Sequence, residues 1–269
     1  MQLRPLLIAP RPKPKQPKRL ALLYHELRKE PSAYSYALSL DRFEEHLNLL
    51  AEMEHATRHI QPVITFDDGH LSDFEYAMPA LARANRQGYF FITAGWTGNR
   101  VGYMGPDHLR TLHQAGHVIG AHGWSHALLP RCTPAELKRE LEDARSRLED
   151  ILSAPVTNIS LPGGRGNKSV MSACQAAGYT TVWTSLPGLS QPEWERTVGR
   201  FNILATHTTG YLRRLLDPDS GVLRREVLKS RVKMAGQRLM GDSLYTRLWS
   251  ILNHQEKADP SLAKERSGR

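Results

Sequence analysis

Two carboxylates stand side by side at Asp67 and Asp68, inside the stretch Thr65-Phe66-Asp67-Asp68-Gly69-His70. They follow the apolar pair Val63-Ile64 and precede residues 72–86, whose apolar positions recur at helical spacing. A charge at the end of a buried strand loses its hydration, and packing returns far less than that loss. Such a pair persists where a cation or a reaction needs it. Taken alone, it also reads as a strand-to-helix turn, with Asp as the cap and Gly in the bend. A second stretch, His122-Gly123-Trp124-Ser125-His126, sets two imidazoles four residues apart, a spacing that lets one ion be gripped from one side of a turn. It too follows an apolar run, residues 118–121. Two neutral imidazoles and one carboxylate leave coordination positions open and suit Zn²⁺ or a similar divalent ion. A third stretch, Ser160-Leu161-Pro162-Gly163-Gly164-Arg165-Gly166-Asn167, has glycines that admit a ligand close to the backbone. It feeds a helix whose N-terminus favours negative charge.

These stretches need a scaffold that brings strand ends together. Seven short apolar runs, at residues 20–25, 63–66, 89–93, 118–121, 156–161, 179–184 and 198–204, read as strands. Helical spacing fills most of the intervals, as in residues 41–53, with Phe43, Leu47 and Leu50 on one side. Thr133-Pro134-Ala135-Glu136 is a capping box with proline at the first helical position, so a helix starts there and runs to about Leu152. Strands alternating with helices give an α/β fold with a parallel sheet and helices outside. The expectation is a distorted seven-stranded (β/α) barrel, with chemistry at the C-terminal strand ends. An open doubly wound sheet is the alternative. The first strand is not followed by a glycine-rich phosphate loop, which counts against a nucleotide-binding version.

The net charge of +9 is concentrated at the two ends of the chain. Arg11, Lys13, Lys15, Lys18 and Arg19 lie at the start; Arg224, Arg225, Lys229, Arg231, Lys233 and Arg238 lie in residues 222–238 against Glu226. The body between is near neutral, which speaks against a nucleic-acid partner, since a phosphate-tracking face carries its cations on the fold itself. Residues 1–19 read as a disordered Pro/Lys-rich arm, 20–216 as the barrel, 217–252 as a basic amphipathic helical extension and 253–269 as a disordered tail. Leu228, Val232, Ala235 and Leu239 recur at helical spacing within the extension, a pattern suited to an anionic membrane surface or to docking on the barrel. Cys132 and Cys174 form no metal-type pair and read as small fillers in a reducing compartment. The first ten residues carry too short an apolar block for a secretory segment. The expected location is cytoplasmic, with peripheral contact at the inner membrane surface.

TFDDG, HGWSH and the LPGG loop, in this order, resemble the polysaccharide deacetylase (NodB homology) domain of carbohydrate esterase family four. The likeness extends over about residues 20–204 and includes the opening Leu22-Leu23-Tyr24-His25-Glu26-Leu27. It implies the same distorted seven-stranded barrel and the removal of N-acetyl or O-acetyl groups from a carbohydrate bearing acetylated amino sugars. It also implies a divalent metal, Zn²⁺ first and Co²⁺, Mn²⁺ or Ni²⁺ as alternatives. Carried over by position, it makes Asp68, His122 and His126 the metal ligands, Asp67 the general base and the Gly163 N–H an oxyanion donor. Two departures stand out. The family's arginine two positions before Pro162 is Ser160 here, so Arg165 is the candidate to fold back and orient Asp67. The family's closing Leu-x-His is Leu204-Ala205-Thr206-His207, one residue too long. His207 then fits a capping place before the next helix, and His70 and His25 are the substitutes for the general acid. Trp124 would stack on a sugar ring or serve as a packing wedge. The competing readings are hydrolysis of a non-sugar amide on the same scaffold, a carbohydrate-binding relic without turnover, and an iron oxygenase built on two His and one carboxylate.

Overall fold

The computed structural model describes residues 18–30, 32–56, 60–189, 196–217 and 219–240, the side chains of 55–56 and 233–240 excepted. Most of the amino-terminal arm, the last part of the helical extension and the carboxy-terminal tail lie outside these residues.

Seven parallel strands close into a barrel in the ring order β1-β4-β5-β6-β7-β8-β9. They are β1 (Lys18–Tyr24), β4 (Ile60–Phe66), β5 (Gly88–Ile92), β6 (Val118–Ala121), β7 (Asn158–Ser160), β8 (Thr181–Thr184) and β9 (Thr197–Asn202). Two short strands absent from the sequence reading, β2 (Glu26–Arg28) and β3 (Ala37–Ser39), pair with each other outside the ring. The barrel matches the sequence expectation in strand number and order. β1 starts at Lys18, two residues before the apolar run, because its ladder with β4 begins at Lys18 opposite Ile60. Lys18 and Arg19 therefore belong to the barrel rather than to the arm.

The strands read as continuous apolar runs because both faces are covered. On β1, Leu20, Leu22 and Tyr24 join the layer between sheet and helices, whereas Ala21 joins a small inner cluster with Phe91, Trp183 and Val198. On β5, Phe90 and Ile92 go outward and Phe91 inward. The same alternation sends Ile64 and Phe66 of β4 outward. Val63 then packs on the inner cluster, and Thr65 and Asp67 follow it into the mouth.

The helices are α1 (Leu40–Ala56), α2 (Met78–Arg83), α3 (Pro106–Gln114), α4 (Pro134–Lys138), α5 (Ala144–Leu152), α6 (Lys168–Ala176), α7 (Thr209–Leu216) and α8 (Val222–Met240). Two stretches expected as plain α-helix contain a wide π turn instead, at Asp73–Ala77 before α2 and at Arg139–Asp143 between α4 and α5. Pro79, near the start of α2, has no N–H to continue the regular ladder, so the preceding turn widens. Val222 and Leu223 pack α8 onto the core, while Leu228 and Val232 stand exposed. Among the described residues no helix is long and apolar enough to cross a membrane.

Candidate metal centre

The site sits at the C-terminal rim, where four strands and the loops after them converge. β4 delivers Asp67 and Asp68. Consecutive side chains on a strand face opposite ways, so the two carboxylates meet at one mouth only if the chain turns between them. Asp68 does turn it, with φ +73°, followed by Gly69 at φ +82°. A non-glycine residue in this left-handed region is costly, and such strain gathers at functional sites. The bend is also tightly packed, since a Cβ on Gly69 would sit 3.2 Å from Ile92 Cδ1.

β6 delivers His122, which is 2% exposed. Its backbone N–H donates to the Ile92 carbonyl at 2.7 Å. Its Nδ1 lies 2.9 Å from the Ser160 carbonyl oxygen, which can only accept. Nδ1 therefore carries the proton, and the Nε2 lone pair faces the mouth. His126 arrives on the loop after β6 with φ +65°. That loop is tied down by Glu140, 5% exposed, whose carboxylate accepts from the Trp124 N–H at 2.8 Å and the Ser125 N–H at 3.0 Å, and also from the Ser125 hydroxyl. Trp96 stacks on the His126 ring at 5.6 Å and 27°.

The three expected ligands come together. His122 Nε2 and His126 Nε2 each lie 3.3 Å from Asp68 Oδ1, and the donor atoms of all three residues fall within 4.8 Å of one another. Asp68 Oδ1 is buried and makes no hydrogen bond of proper geometry. An orphaned, desolvated carboxylate oxygen between two imidazole nitrogens is what a divalent cation would satisfy, and two nitrogens with one oxygen suit Zn²⁺. Burial opposes the charge on Asp68, but the two imidazoles outweigh it and hold the carboxyl well below its usual range. Burial likewise disfavours charge on His122, and Asp67 and Asp68 overcome it, so its pKa is raised.

Asp67 is held separately. It is 3% exposed, and its two oxygens accept from Nη1 and Nη2 of Arg200, each at 2.7 Å. Arg200 is 0% exposed and comes from β9, with the inward parity of Val198. The Ser160 hydroxyl donates to Asp67 Oδ2 at 2.9 Å and accepts from Arg200 Nη2 at 2.6 Å. Arg200 Nε donates to the Thr184 carbonyl at 3.2 Å. Burial would raise the Asp67 pKa, but the Arg200 guanidinium and His122 keep it below its ordinary value.

This geometry corrects the expectation for Arg165, which is exposed and makes no hydrogen bond to Asp67. The arginine comes instead from a strand 133 residues away in sequence. His207 does not reach the mouth either: its Nδ1 accepts from the Leu204 N–H at 3.2 Å and its ring stacks on Tyr211 at 4.3 Å. Gly163 takes φ +66°, and a Cβ there would lie 2.8 Å from Leu128 Cδ2, so the glycine loop lies against the His122–His126 loop. His70 is turned to the side, with Nδ1 at 2.8 Å from the Ser72 hydroxyl. His25, just past β1, has a buried Nδ1 with no hydrogen bond and feels the charges of Asp68, Asp67 and Arg200. Burial lowers its pKa against the pull of the two carboxylates.

Three residues of this arrangement went unrecognised in the sequence. Arg200 lies in the run read as the last strand, where its parity with Val198 places it inward. Glu140 lies inside the helix read from the capping box to about Leu152, with nothing in the sequence to single it out. Asp73, 0% exposed with neither carboxylate oxygen bonded, reads as a helix start. Burial, reinforced by Asp68, Glu26 and Asp67, raises its pKa well above the usual range.

Residues 55–182 match the family model described as polysaccharide deacetylase. A Bacillus subtilis protein, YxkH, whose name marks it as a candidate polysaccharide deacetylase, is 27% identical over 126 residues, 47% of this chain and 45% of that protein. A chitin deacetylase of Arthroderma benhamiae is 32% identical over 102 residues, 37% of this chain and 25% of that protein. The chain thus spans less than half the length of these curated relatives. The Streptococcus pyogenes deacetylase PplD, solved in complex with acetate, superposes with a TM-score of 0.66 at 19% identity, over 75% of this chain and 99% of that one. Likeness at that identity establishes a shared fold. The Asp67-Asp68 and His122–His126 stretches fall within the matched residues 55–182, and it is over those residues that the chain is similar to the polysaccharide deacetylase family.

Proposed function

We propose that the protein is a metal-dependent hydrolase that removes acetyl groups from amino sugars of a polysaccharide. The reading rests above all on Asp68 Oδ1, buried and unbonded at 3.3 Å from both imidazole Nε2 atoms, beside a second carboxylate anchored apart from it. Asp68, His122 and His126 would hold the ion, Zn²⁺ in preference to Co²⁺, Mn²⁺ or Ni²⁺. When bound, the cation supplies Lewis acidity at the acyl carbonyl.

The chain's own groups do the rest. Asp67, kept ionised by Arg200, takes the proton from the attacking water. Arg200 and Ser160 fix both carboxylate oxygens, so the base does not swing toward the ligand cluster. The Gly163 N–H donates to the oxyanion as the acyl carbon becomes tetrahedral. His25, buried just past β1 with no hydrogen bond at Nδ1, gives a proton to the leaving amine. Names of relatives such as chitin deacetylase support an acetylated amino-sugar polymer as substrate.

The test is acetate release from N-acetylglucosamine oligomers. The expected result is turnover abolished by a chelator and restored by Zn²⁺, loss on His122→Ala, and a fall of about a hundredfold or more on Asp67→Asn. Acetate release unaffected by chelator and by Asp67→Asn would refute the reading.

A further inference from the structure

A groove of about 570 Å³ lies beside the His122–His126 loop, with Trp124 and Ser125 of that loop in its lining. Trp124, Leu128, Arg131 and Arg139 line it. Its inner end adjoins the glycine loop, because Leu128 packs against Gly163. The groove is therefore made by the same loop that carries a metal ligand, and a polymer lying across the site would extend into it. Leu128 is 43% exposed and Trp124 half-buried, so the floor offers an apolar face to a sugar ring.

The charges on this groove are unevenly committed. Glu140 is consumed by the Trp124 and Ser125 donors. Glu136 closes the cap of α4, accepting from the Thr133 N–H at 2.7 Å and its hydroxyl at 2.8 Å. Arg131 and Arg139 are exposed, and among the described residues neither has a carboxylate within ion-pair distance. The wide turn at Arg139–Asp143 directs Glu140 inward and leaves Arg139 outside, its guanidinium 5.7 Å from the Trp124 ring centre. Across His126, Arg100 lies over Trp96 at 4.3 Å, and it too has no ion-pair partner among the described residues. The body of the chain is near neutral, so Arg131 and Arg139 on this groove are a local arrangement and not a reflection of overall charge. Unpaired guanidiniums held over indoles are suited to planar or tetrahedral oxyanions.

We infer that the groove is a subsite for an anionic sugar unit, carboxylate- or phosphate-bearing, next to the acetylated unit that is hydrolysed. Arg131 and Arg139 take the anionic substituent, and Trp124 takes the ring. The inference rests on the deacetylase reading for the reaction, but the groove's ligand chemistry stands on its own residues. The substrate is then an acidic, acetylated glycan rather than a neutral one.

The test compares three oligomers of equal length with the zinc-loaded full chain. One is neutral oligo-N-acetylglucosamine, one alternates N-acetylglucosamine with glucuronic acid, and one is phosphorylated oligo-N-acetylglucosamine. The expected result is a kcat/KM about tenfold higher on at least one acidic oligomer, declining with added salt. In the Arg131→Gln/Arg139→Gln variant that preference disappears through KM with kcat kept, while the neutral substrate reacts at its original rate. Which acidic arm responds tells carboxylate from phosphate. Equal kcat/KM on all three oligomers, or a variant slowed alike on all of them, overturns the inference. Trp fluorescence titration with a fully deacetylated, N-sulfonate-free glucuronate oligomer separates the two readings. Salt-sensitive binding lost in the double variant, with acetate release from none of the oligomers, supports the subsite and sinks the deacetylase. Acetate release without anionic preference or such binding does the reverse.

Discussion

Replacing Arg200 by methionine isolates what holds the proposed base. The guanidinium is fully buried and makes two 2.7 Å bonds to Asp67, one of 2.6 Å to Ser160 and one of 3.2 Å to Thr184. Removing one partner of a buried pair leaves an uncompensated charge, at a cost of about 3–5 kcal/mol. Asp67 then has burial acting on it with its principal counter-charge gone, and its pKa rises. A base with a raised pKa stays protonated to higher pH, so the acid limb of kcat/KM moves to higher pH. Arg200→Lys keeps a charge but loses the fork, and falls between the two. In Arg200→Met/Asp67→Asn the orphaned charge is gone, so this double variant is more stable than Arg200→Met alone, although inactive. Urea unfolding and a pH–rate profile read both effects. A stability loss under about 1 kcal/mol with an unmoved acid limb would show that Arg200 merely fills space.

Three other outcomes follow from the same contacts. Glu140→Gln keeps the shape but weakens the hold on residues 124–125, so zinc affinity, read by competition with a chromophoric chelator, falls about tenfold or more; unchanged affinity would exclude a positioning role. His122 has a raised pKa and must be neutral to ligate, so affinity for zinc falls as pH drops through that raised value, beginning above the 6.5 of a free imidazole; a profile that declines only well below it would contradict the ion-pair geometry. Asp73 has a raised folded pKa, so in the metal-free protein its contribution to stability is complete below the unfolded value near 3.8 and is lost as pH climbs toward the folded one. Asp73→Asn, which mimics the neutral acid, should raise the melting temperature at alkaline pH and leave it little changed at acid pH; the opposite pattern would mean an unseen partner for the carboxylate.

The barrel was legible because both sheet faces are buried, and uninterrupted apolar runs at residues 20–23, 63–66 and 89–92 announce such strands. The clustering of Asp68, His122 and His126 was legible because each lies within a few residues of a strand's end and the motifs are compact. Arg200 was not, since its partner Asp67 is on another strand, and only closure of the ring makes a strand arginine an interior one. Arg165 was the expected partner of Asp67 because Ser160 stands where the resemblance calls for an arginine, yet it is exposed. Glu140 depends on a widened helical turn that periodicity does not reveal. β2 and β3 are three residues each, too short for alternation to show.

The two wide turns have a bearing on how this chain tolerates change. Each holds one backbone position more than a regular turn would, and each carries a buried acid, Asp73 in one and Glu140 in the other. Deleting a single residue from Arg139–Asp143 would let α4 and α5 fuse into one tidy rod while rotating Glu140 off its loop by about 100°. A lineage selected only for thermal endurance would drift toward that rod, and its descendants would be sturdier proteins whose residues 124–125 had lost their anchor.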